Sequence, residues 1–238
     1  MLILGIDTSG TTAAAAIYDS ERDILLAQQL VYTKRTHSQV ILPIVERLLE
    51  DTELTLDDIQ KIAVSAGPGS YTGLRIGIAA VKAMAFAGGI ACCGVSTLKA
   101  LCCQGHLAGE NTVCAVMKAR KGLVYAGIYH FDGDNNCTAV MEDVLLSETE
   151  LLEKLSMPQN VMLTGDGAAD FIKEHSLKNV LLAPAEARLQ NGAGLCRCAL
   201  YYDDETPSQL EARYLQLVKA EKDRLDSNNI INNNSKNK

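Results

Sequence analysis

The chain has 238 residues, of which 47% are hydrophobic and 21% charged, with 18 Gly and 5 Pro. This composition is typical of globular proteins and excludes a disordered, collagen-like or coiled-coil chain. The formal net charge is −7 and the sequence contains no Trp. The surface as a whole therefore repels a phosphate backbone and offers little for base stacking, so we expect no tight nucleic-acid binding by this chain alone.

The N-terminal sequence and the cysteines indicate the cellular setting. The chain starts MLILGIDTSG, without the basic region of a signal peptide. Its apolar stretch 83–98 is too short to cross a bilayer and contains three glycines. The eight cysteines form no Cys-x-x-Cys pair, and the only metal-like spacing is Cys103 to His106. We expect a cytoplasmic protein whose cysteines are small core residues.

Alternating and helical apolar patterns predict two successive sets of elements. In the first set we expect strands at 2–6, 12–18, 24–31, 61–65 and 90–95 and helices at 38–50, 72–87 and 96–103. In the second set we expect strands at 112–118, 123–131, 138–145, 160–163 and 179–182 and helices capped by Ser147, at 168–174 and at 191–202. Ser38 is the predicted N-cap of the first helix, and Thr55 and Ser147 each precede an acid three residues later, the pattern of a capping box.

The order β-β-β-α-β-α-β-α thus occurs twice, without sequence identity between the halves. This order is that of the actin-like (ASKHA, ribonuclease H-like) lobe. We predict an α/β protein of two such lobes, each a mixed five-stranded sheet with flanking helices. The predicted boundaries are 1–108 and 109–226, followed by an Asn-rich tail, 227–238, that has too little apolar content to fold.

Two glycine-containing turns are candidate anion sites. Asp7-Thr-Ser-Gly10 lies between two strands, where an actin-like fold holds a phosphate, and Gly67-Pro-Gly-Ser-Tyr-Thr-Gly73 leads from a strand into a helix N-terminus. The Gly67 loop is not a known phosphate fingerprint. The alternative for Asp7 is an acid that caps its own turn, and the alternative for the glycines is a tight turn with close packing.

His37 is the first residue to test for a metal site. A second His four residues later would complete a pair on one helical face, but position 41 is Ile. The other three histidines are scattered, and no Gly-x-Ser-x-Gly elbow is present. We therefore predict neither a metal centre nor catalytic residues.

The first two helices have faces that suit a protein partner. The first helix has its deepest predicted stripe at 41, 42, 45, 48 and 49, which places Val40, Ile44 and Arg47 on a second, partly apolar face. The second helix is thin and carries only Arg75 and Lys82, seven residues apart on one face. The alternative is that both helices are simply buried within the monomer.

Five segments resemble a known family, the bacterial TsaB (YeaZ) proteins of tRNA threonylcarbamoyladenosine biosynthesis. These segments are Ile3-Leu-Gly-Ile-Asp-Thr8, His37-Ser-Gln-Val-Ile-Leu-Pro43, Gly67-Pro-Gly-Ser-Tyr-Thr-Gly-Leu-Arg-Ile-Gly77, Gly94-Val-Ser-Thr-Leu98 and Ala119-Arg-Lys-Gly-Leu-Val-Tyr125. The resemblance covers the first lobe and the start of the second, and the string from Gly67 to Gly77 is its most specific part.

The resemblance implies a non-catalytic subunit that dimerises with, and activates, a catalytic relative, TsaD. That relative carries a metal-binding His-x-x-x-His in the helix that matches 38–50, and Ile41 here replaces its second His. The interface implied for this chain comprises Val40, Ile44, Arg47, Arg75, Ile78 and Lys82. The resemblance also implies an ATPase partner, TsaE, homodimers when the chain is alone, and contact with tRNA only through the complex.

Two other functions remain to be weighed. An actin-fold small-molecule kinase or ATPase would use Asp7 and the Gly67 loop, and a metalloprotease would need the missing second His. We expect no resident cofactor, with weak ATP or ADP binding only within the complex. The possible nucleotide or anion contacts are Asp7, Thr8, Ser9, Gly67, Gly69 and Ser70.

Overall fold

A computed structural model describes residues 1–33, 35–120, 122–133, 136–156, 159–175 and 177–215. The predicted tail 227–238 lies outside the described residues. The strands are β1 Leu2–Asp7, β2 Thr12–Asp19, β3 Ile24–Tyr32, β4 Lys61–Gly67, β5 Ala91–Ser96, β6 Thr112–Lys118, β7 Leu123–Phe131, β8 Cys137–Ser147, β9 Val161–Thr164 and β10 Val180–Leu182. The helices are α1 His37–Asp51, α2 Tyr71–Gly88, α3 Thr97–His106, α4 Glu148–Leu155, α5 Ala168–Glu174, α6 Ala185–Arg188 and α7 Gly192–Cys198, with 3₁₀ turns at Leu56–Asp58 and Ala199–Tyr201.

The strands form two five-stranded sheets with the same order. The first sheet runs β3-β2-β1-β4-β5 and the second runs β8-β7-β6-β9-β10. In each, the first strand of the lobe is central, antiparallel to the second strand and parallel to the fourth. The predicted topological repeat and the mixed five-stranded sheets are confirmed.

The helices arrange these sheets into five layers. Helices α1 and α2 cover the outer face of the first sheet, and α4 and α5 cover the outer face of the second. Helices α3 and α7 lie between the sheets and share one apolar cluster with residues of both. The last helix of the chain thus packs on the first sheet, so the two lobes share a core. The domain boundary at 108 separates the sheets and stays a prediction.

Glycine permits the close approach of α7 to the first sheet. A Cβ on Gly192 would lie 2.4 Å from the backbone N of Ala16, and one on Gly5 would lie 2.7 Å from Sγ of Cys196. Only hydrogen fits at these positions, because a carbon atom needs a separation of more than 3 Å from such neighbours. The sequence GAGLC therefore places this helix directly on β1 and β2.

Several local predictions are confirmed and others are wrong. Ser147 and Glu150 form a capping box at α4, and seven of the eight cysteines are buried, with Cys137 half-buried. Burial raises the pKa of the Cys93 thiol to about 12.

Ser38 does not cap α1, since the helix begins one residue earlier after Thr36. The predicted helix 191–202 is shorter, because it tightens into a 3₁₀ turn after Cys198, and α6 was not predicted. No described helix has both the length and the apolar character to cross a membrane.

Candidate functional site: two facing loops and an exposed helix layer

Asp7 ends the central strand β1, and its carboxylate is buried and accepts hydrogen bonds from residues of its own lobe. Oδ1 accepts hydrogen bonds from Ser9 N at 2.8 Å and from Ser9 Oγ at 2.6 Å. Oδ2 accepts from Ser65 Oγ at the end of β4. Burial raises the pKa of Asp7, and the hydrogen bonds from the two serines oppose that shift. Asp7 therefore caps its own turn, as the structural alternative predicts.

The Gly67 loop lies against the Asp7 turn, backbone to backbone. Ser70 N donates to Ser9 O at 2.7 Å, and Thr8 Oγ1 donates to Gly73 O at 2.7 Å. A Cβ on Gly69 would lie 2.6 Å from Ser9 O, and one on Gly73 would lie 2.1 Å from Thr8 O. Glycine is needed here because the two backbones touch. Close packing thus accounts for the glycines of this loop.

The structure brings the six residues predicted to contact an anion into one place. Asp7, Thr8, Ser9 and Gly67 are buried, whereas Gly69 is half-buried and Ser70 is exposed. The exposed edge of these loops faces the second lobe across a cleft of about 510 Å³. Ser70 N and Gly73 N already have partners within the loops, Ser9 O and Ser70 Oγ. Any anion contact is therefore limited to this exposed edge.

The opposite wall of the cleft was missed by the sequence reasoning. It is formed by residues at and after the end of β6 and by the turn after β9: Met117, Lys118, Ala119, Arg120, Tyr125 and Asp166. Lys118 N donates to Asp166 Oδ1 at 3.0 Å, and burial raises the pKa of Asp166. The β6–β7 turn is the topological counterpart of the Asp7 turn, so the predicted repeat was a signal that could have located this wall.

His37 and position 41, where a second His would be needed for a metal site, lie in different surroundings. His37 Nδ1 lies 3.0 Å from Thr8 O, so the ring is anchored on the Asp7 turn. Ile41 is 1% exposed and packs in the apolar cluster between α1, α2 and the first sheet. A ligand directed from position 41 would point into this core.

Helices α1 and α2 lie side by side, and four of the six predicted interface residues reach their outer surface. Arg47 and Arg75 are exposed, and Val40 and Lys82 are half-buried. The guanidinium of Arg47 lies 2.8 Å from Asp51 Oδ1, and Arg75 Nη1 donates to Tyr71 OH at 2.6 Å.

The other two predicted interface residues lie mostly within the monomer: the placement of Ile44 on an outward, second face of α1 is wrong, and Ile78 reaches the surface only where it lines a groove beside α2. Ile44 is 4% exposed and Ile78 is 8% exposed, and both pack against the first sheet. The stripe of α1 is rotated relative to the prediction: Ile44 replaces Leu42, which is 45% exposed. Apolar residues on more than one side of α1 made the two orientations indistinguishable by periodicity.

Large apolar side chains nevertheless remain exposed on this helix layer. Phe86 of α2 is 84% exposed and Leu42 of α1 is 45% exposed. Ala79 and Ala83 of α2 are small and exposed. A groove of about 360 Å³ beside α2 is lined by Arg75, Ile78 and Lys82 and by the segment 210–214. The α1/α2 layer therefore presents large exposed apolar side chains together with small exposed residues of α2.

The fold and these loops define an actin-like, two-lobe α/β protein. Its first lobe carries an exposed helix layer. A family model described as "TsaD: tRNA N6-adenosine threonylcarbamoyltransferase" matches residues 31–196. The chain is 36% identical over 164 residues to the tRNA threonylcarbamoyladenosine biosynthesis protein TsaB of Bacillus subtilis, covering 68% of this chain and 63% of that protein. It is 36% identical over 134 residues to the TsaB of Escherichia coli, covering 56% of each.

A solved structure described as YeaZ from Pseudomonas aeruginosa superposes with a TM-score of 0.77 at 24% identity, covering 90% of this chain and 99% of that one. This likeness confirms the fold. The family model and the TsaB relatives place the chain in the TsaB (YeaZ) family, as the five sequence segments predict. The match spans less than two thirds of the length of the Bacillus and Escherichia relatives.

Proposed function

We propose that this chain is a non-catalytic subunit of tRNA threonylcarbamoyladenosine biosynthesis that dimerises with a TsaD-type catalytic subunit. The observation that carries the proposal is the α1/α2 layer, where Leu42 of α1 and Phe86 of α2 are 45% and 84% exposed and the exposed residues Ala79 and Ala83 of α2 are small. Exposed apolar groups around a helix of low profile favour the close approach of another helix. The TsaB names of the relatives supply the pathway.

Two features support a role without transferase chemistry of its own. The position where the catalytic relative would need its second metal-binding His is Ile41, buried in the core. The Asp7 carboxylate already accepts three hydrogen bonds from Ser9 and Ser65. We infer that the chain acts by docking, and that it biases its partner toward a competent conformation by a coupling free energy of about 1–3 kcal/mol.

The remaining parts of the proposal concern the wider assembly. We propose that a TsaE-type ATPase joins the pair, and that the chain forms homodimers through the same helix layer when the catalytic subunit is absent. The net charge of −7 favours contact with tRNA only through the complex. We also propose that the chain acts in the cytoplasm and holds no resident cofactor. The reaction that we propose for the complex is N6-threonylcarbamoylation of the tRNA adenosine next to the anticodon.

Size-exclusion chromatography with a purified TsaD-type subunit tests the pairing. We expect a complex that elutes earlier than either subunit, and tRNA modification by the reconstituted system that is lost when this chain is omitted. The chain alone should modify no tRNA. Separate elution of the two subunits, or full activity without this chain, would contradict the proposal.

The second candidate, an actin-fold kinase or ATPase, is favoured by one observation. The cleft of about 510 Å³ places Lys118 and Arg120 opposite Ser70 and Gly69, as a phosphate group would require. The internal use of Asp7 and of the loop amides counts against it. Calorimetric titration with Mg-ATP separates the two functions, because only the enzyme would bind the nucleotide alone and turn it over.

A further inference from the structure

Two glutamates and a histidine converge where helices α4 and α5 of the second lobe come together. Glu148 is the first residue of α4, Glu174 is the last residue of α5, and His175 follows it. One ligand atom from each of the three side chains lies within 4.8 Å of the other two. Both helices pack on the outer face of the second sheet, so the cluster joins two elements that are far apart in sequence.

His175 is held with one ring nitrogen directed into this cluster. Its backbone N donates to Phe171 O at 3.0 Å, and its ring contacts the Phe171 ring with a centroid separation of 4.6 Å. Nε2 is shielded from solvent and has no hydrogen-bond partner. It lies 3.7 Å from Glu148 Oε2, beyond hydrogen-bond distance. A shielded imidazole nitrogen without a partner is costly, and a ligand at this point would satisfy it.

The charges around the cluster favour a cation. Among the residues that the structure describes, His175 is the only basic side chain that pairs with Glu148, and Glu174 pairs with none. Glu174 also stands at the C-terminal end of α5, where the helix dipole disfavours a negative charge. Lys118 and Arg120 line the same cavity, but Lys118 Nζ is paired with Asp170 Oδ2 at 2.6 Å.

We propose that Glu148, Glu174 and His175 form a binding site for a divalent transition-metal ion, with Zn²⁺ as the best fit. One imidazole nitrogen and two carboxylate oxygens suit Zn²⁺, whereas Ca²⁺ and Mg²⁺ prefer oxygen ligands alone. Tetrahedral Zn²⁺ with bonds of about 2.0–2.2 Å places its donors roughly 3.3–3.6 Å apart. The pair at 3.7 Å is already close to this value, and the exposed Glu174 side chain can move the remaining distance.

Such a site would act as a cross-link between α4 and α5. The three protein ligands leave a fourth position for water. Because the metal would bind the folded lobe and not the unfolded chain, it would raise the thermal stability of the protein. The site is independent of the α1/α2 layer, so its test does not depend on the proposed pairing.

Titration of the full chain with ZnCl₂ under reducing conditions, followed by calorimetry and thermal unfolding, tests the proposal. We expect one equivalent of Zn²⁺ to bind and to raise the Tm. His175→Ala and, separately, Glu174→Gln should each weaken binding at least about tenfold, since even the loss of a group that only orients a ligand costs 10- to 100-fold. Glu153→Gln, an exposed carboxylate of α4 outside the cluster, is the matched control and should bind like the wild type.

The eight thiols of the chain are the competing zinc ligands, and Co²⁺ distinguishes them. Co²⁺ bound by nitrogen and oxygen gives visible bands without the near-ultraviolet charge transfer that thiolates add, and these bands should vanish in His175→Ala. Zinc that binds both cluster variants as tightly as the wild type, a thiolate spectrum, or no binding to the wild type would each overturn the proposal.

Discussion

Truncation of Phe86 to Ala separates partner binding from folding. The side chain is 84% exposed, and a fully buried aromatic side chain covers about 150–250 Å². Complete burial by a partner would therefore remove about 130–210 Å² from water, worth roughly 3–5 kcal/mol at about 25 cal/mol per Å². Ala retains Cβ and burial by a partner is seldom complete, so we expect a loss of about 2–4 kcal/mol, or about 30- to 1,000-fold in Kd.

The stability of the monomer should change little in the same variant. Substitutions of exposed residues are usually within about 0.5 kcal/mol of the wild type. Ile44→Ala is the control variant that should affect folding and not binding. Because Ile44 is 4% exposed, its truncation should lower the unfolding free energy by about 2–5 kcal/mol. The two assays are urea unfolding of the isolated chain and calorimetric titration with the TsaD-type subunit.

The two variants together give a result that can refute the reasoning. We expect Phe86→Ala to bind weakly and unfold normally, and the folded fraction of Ile44→Ala to bind with nearly wild-type affinity. Leu42→Ala, on the neighbouring helix, should resemble Phe86→Ala with a smaller loss because less of its side chain is exposed. If Phe86→Ala and Leu42→Ala both bind as tightly as the wild type, this helix layer is not the docking surface.

Two further predictions concern the facing loops. Gly73→Ala should destabilise the chain by about 1–3 kcal/mol or more, since its Cβ would lie 2.1 Å from Thr8 O. Gly133→Ala, where a Cβ meets no atom within 4 Å, is the control, and equal unfolding free energies of the two variants would contradict the backbone contact. For Asp7, burial raises the pKa above 3.8, so the folded state holds its proton more tightly than the unfolded state, and this contribution to stability is lost as pH rises through the folded pKa. Urea unfolding from pH 4 to 7 should therefore show Asp7→Asn gaining stability relative to the wild type as pH rises, whereas parallel profiles would show that Asp7 does not titrate in this range.

The order of elements could be predicted from sequence because each sheet is built from short apolar strands bounded by polar turns. The capping box at Ser147 and the turn at Asp7 are local patterns, and local patterns determine local structure. Helix α6 escaped prediction because four residues are too few to show a helical period. The cleft wall forms because β6 pairs with β9, which brings Lys118 next to Asp166. These two strands are far apart in sequence, so a local sequence pattern does not reveal their pairing.

The packing of α3 and α7 between the sheets also lay beyond the sequence pattern. The chain order assigns α7 to the second lobe, but Gly192 and Cys196 pack it against β1 and β2 of the first. Periodicity shows which residues of a helix are apolar and not which sheet covers them. For the same reason, a chain cut near residue 108 would remove from the first sheet the helix that covers its inner face, so neither half is expected to retain its core alone.

The orientation of α1 decides which variants can report on a partner. An interface test designed from periodicity alone would substitute a charged residue for Ile44 or Ile78. Both side chains, however, lie against the first sheet. A glutamate at either position would bury an uncompensated carboxylate and unfold the lobe, and the loss of pairing that followed would be indistinguishable from a true interface effect. Leu42 and Phe86 avoid this ambiguity because solvent already covers much of both side chains in the monomer. Only a defect at exposed positions, in a chain that unfolds at the wild-type urea concentration, can therefore be assigned to the contact between subunits.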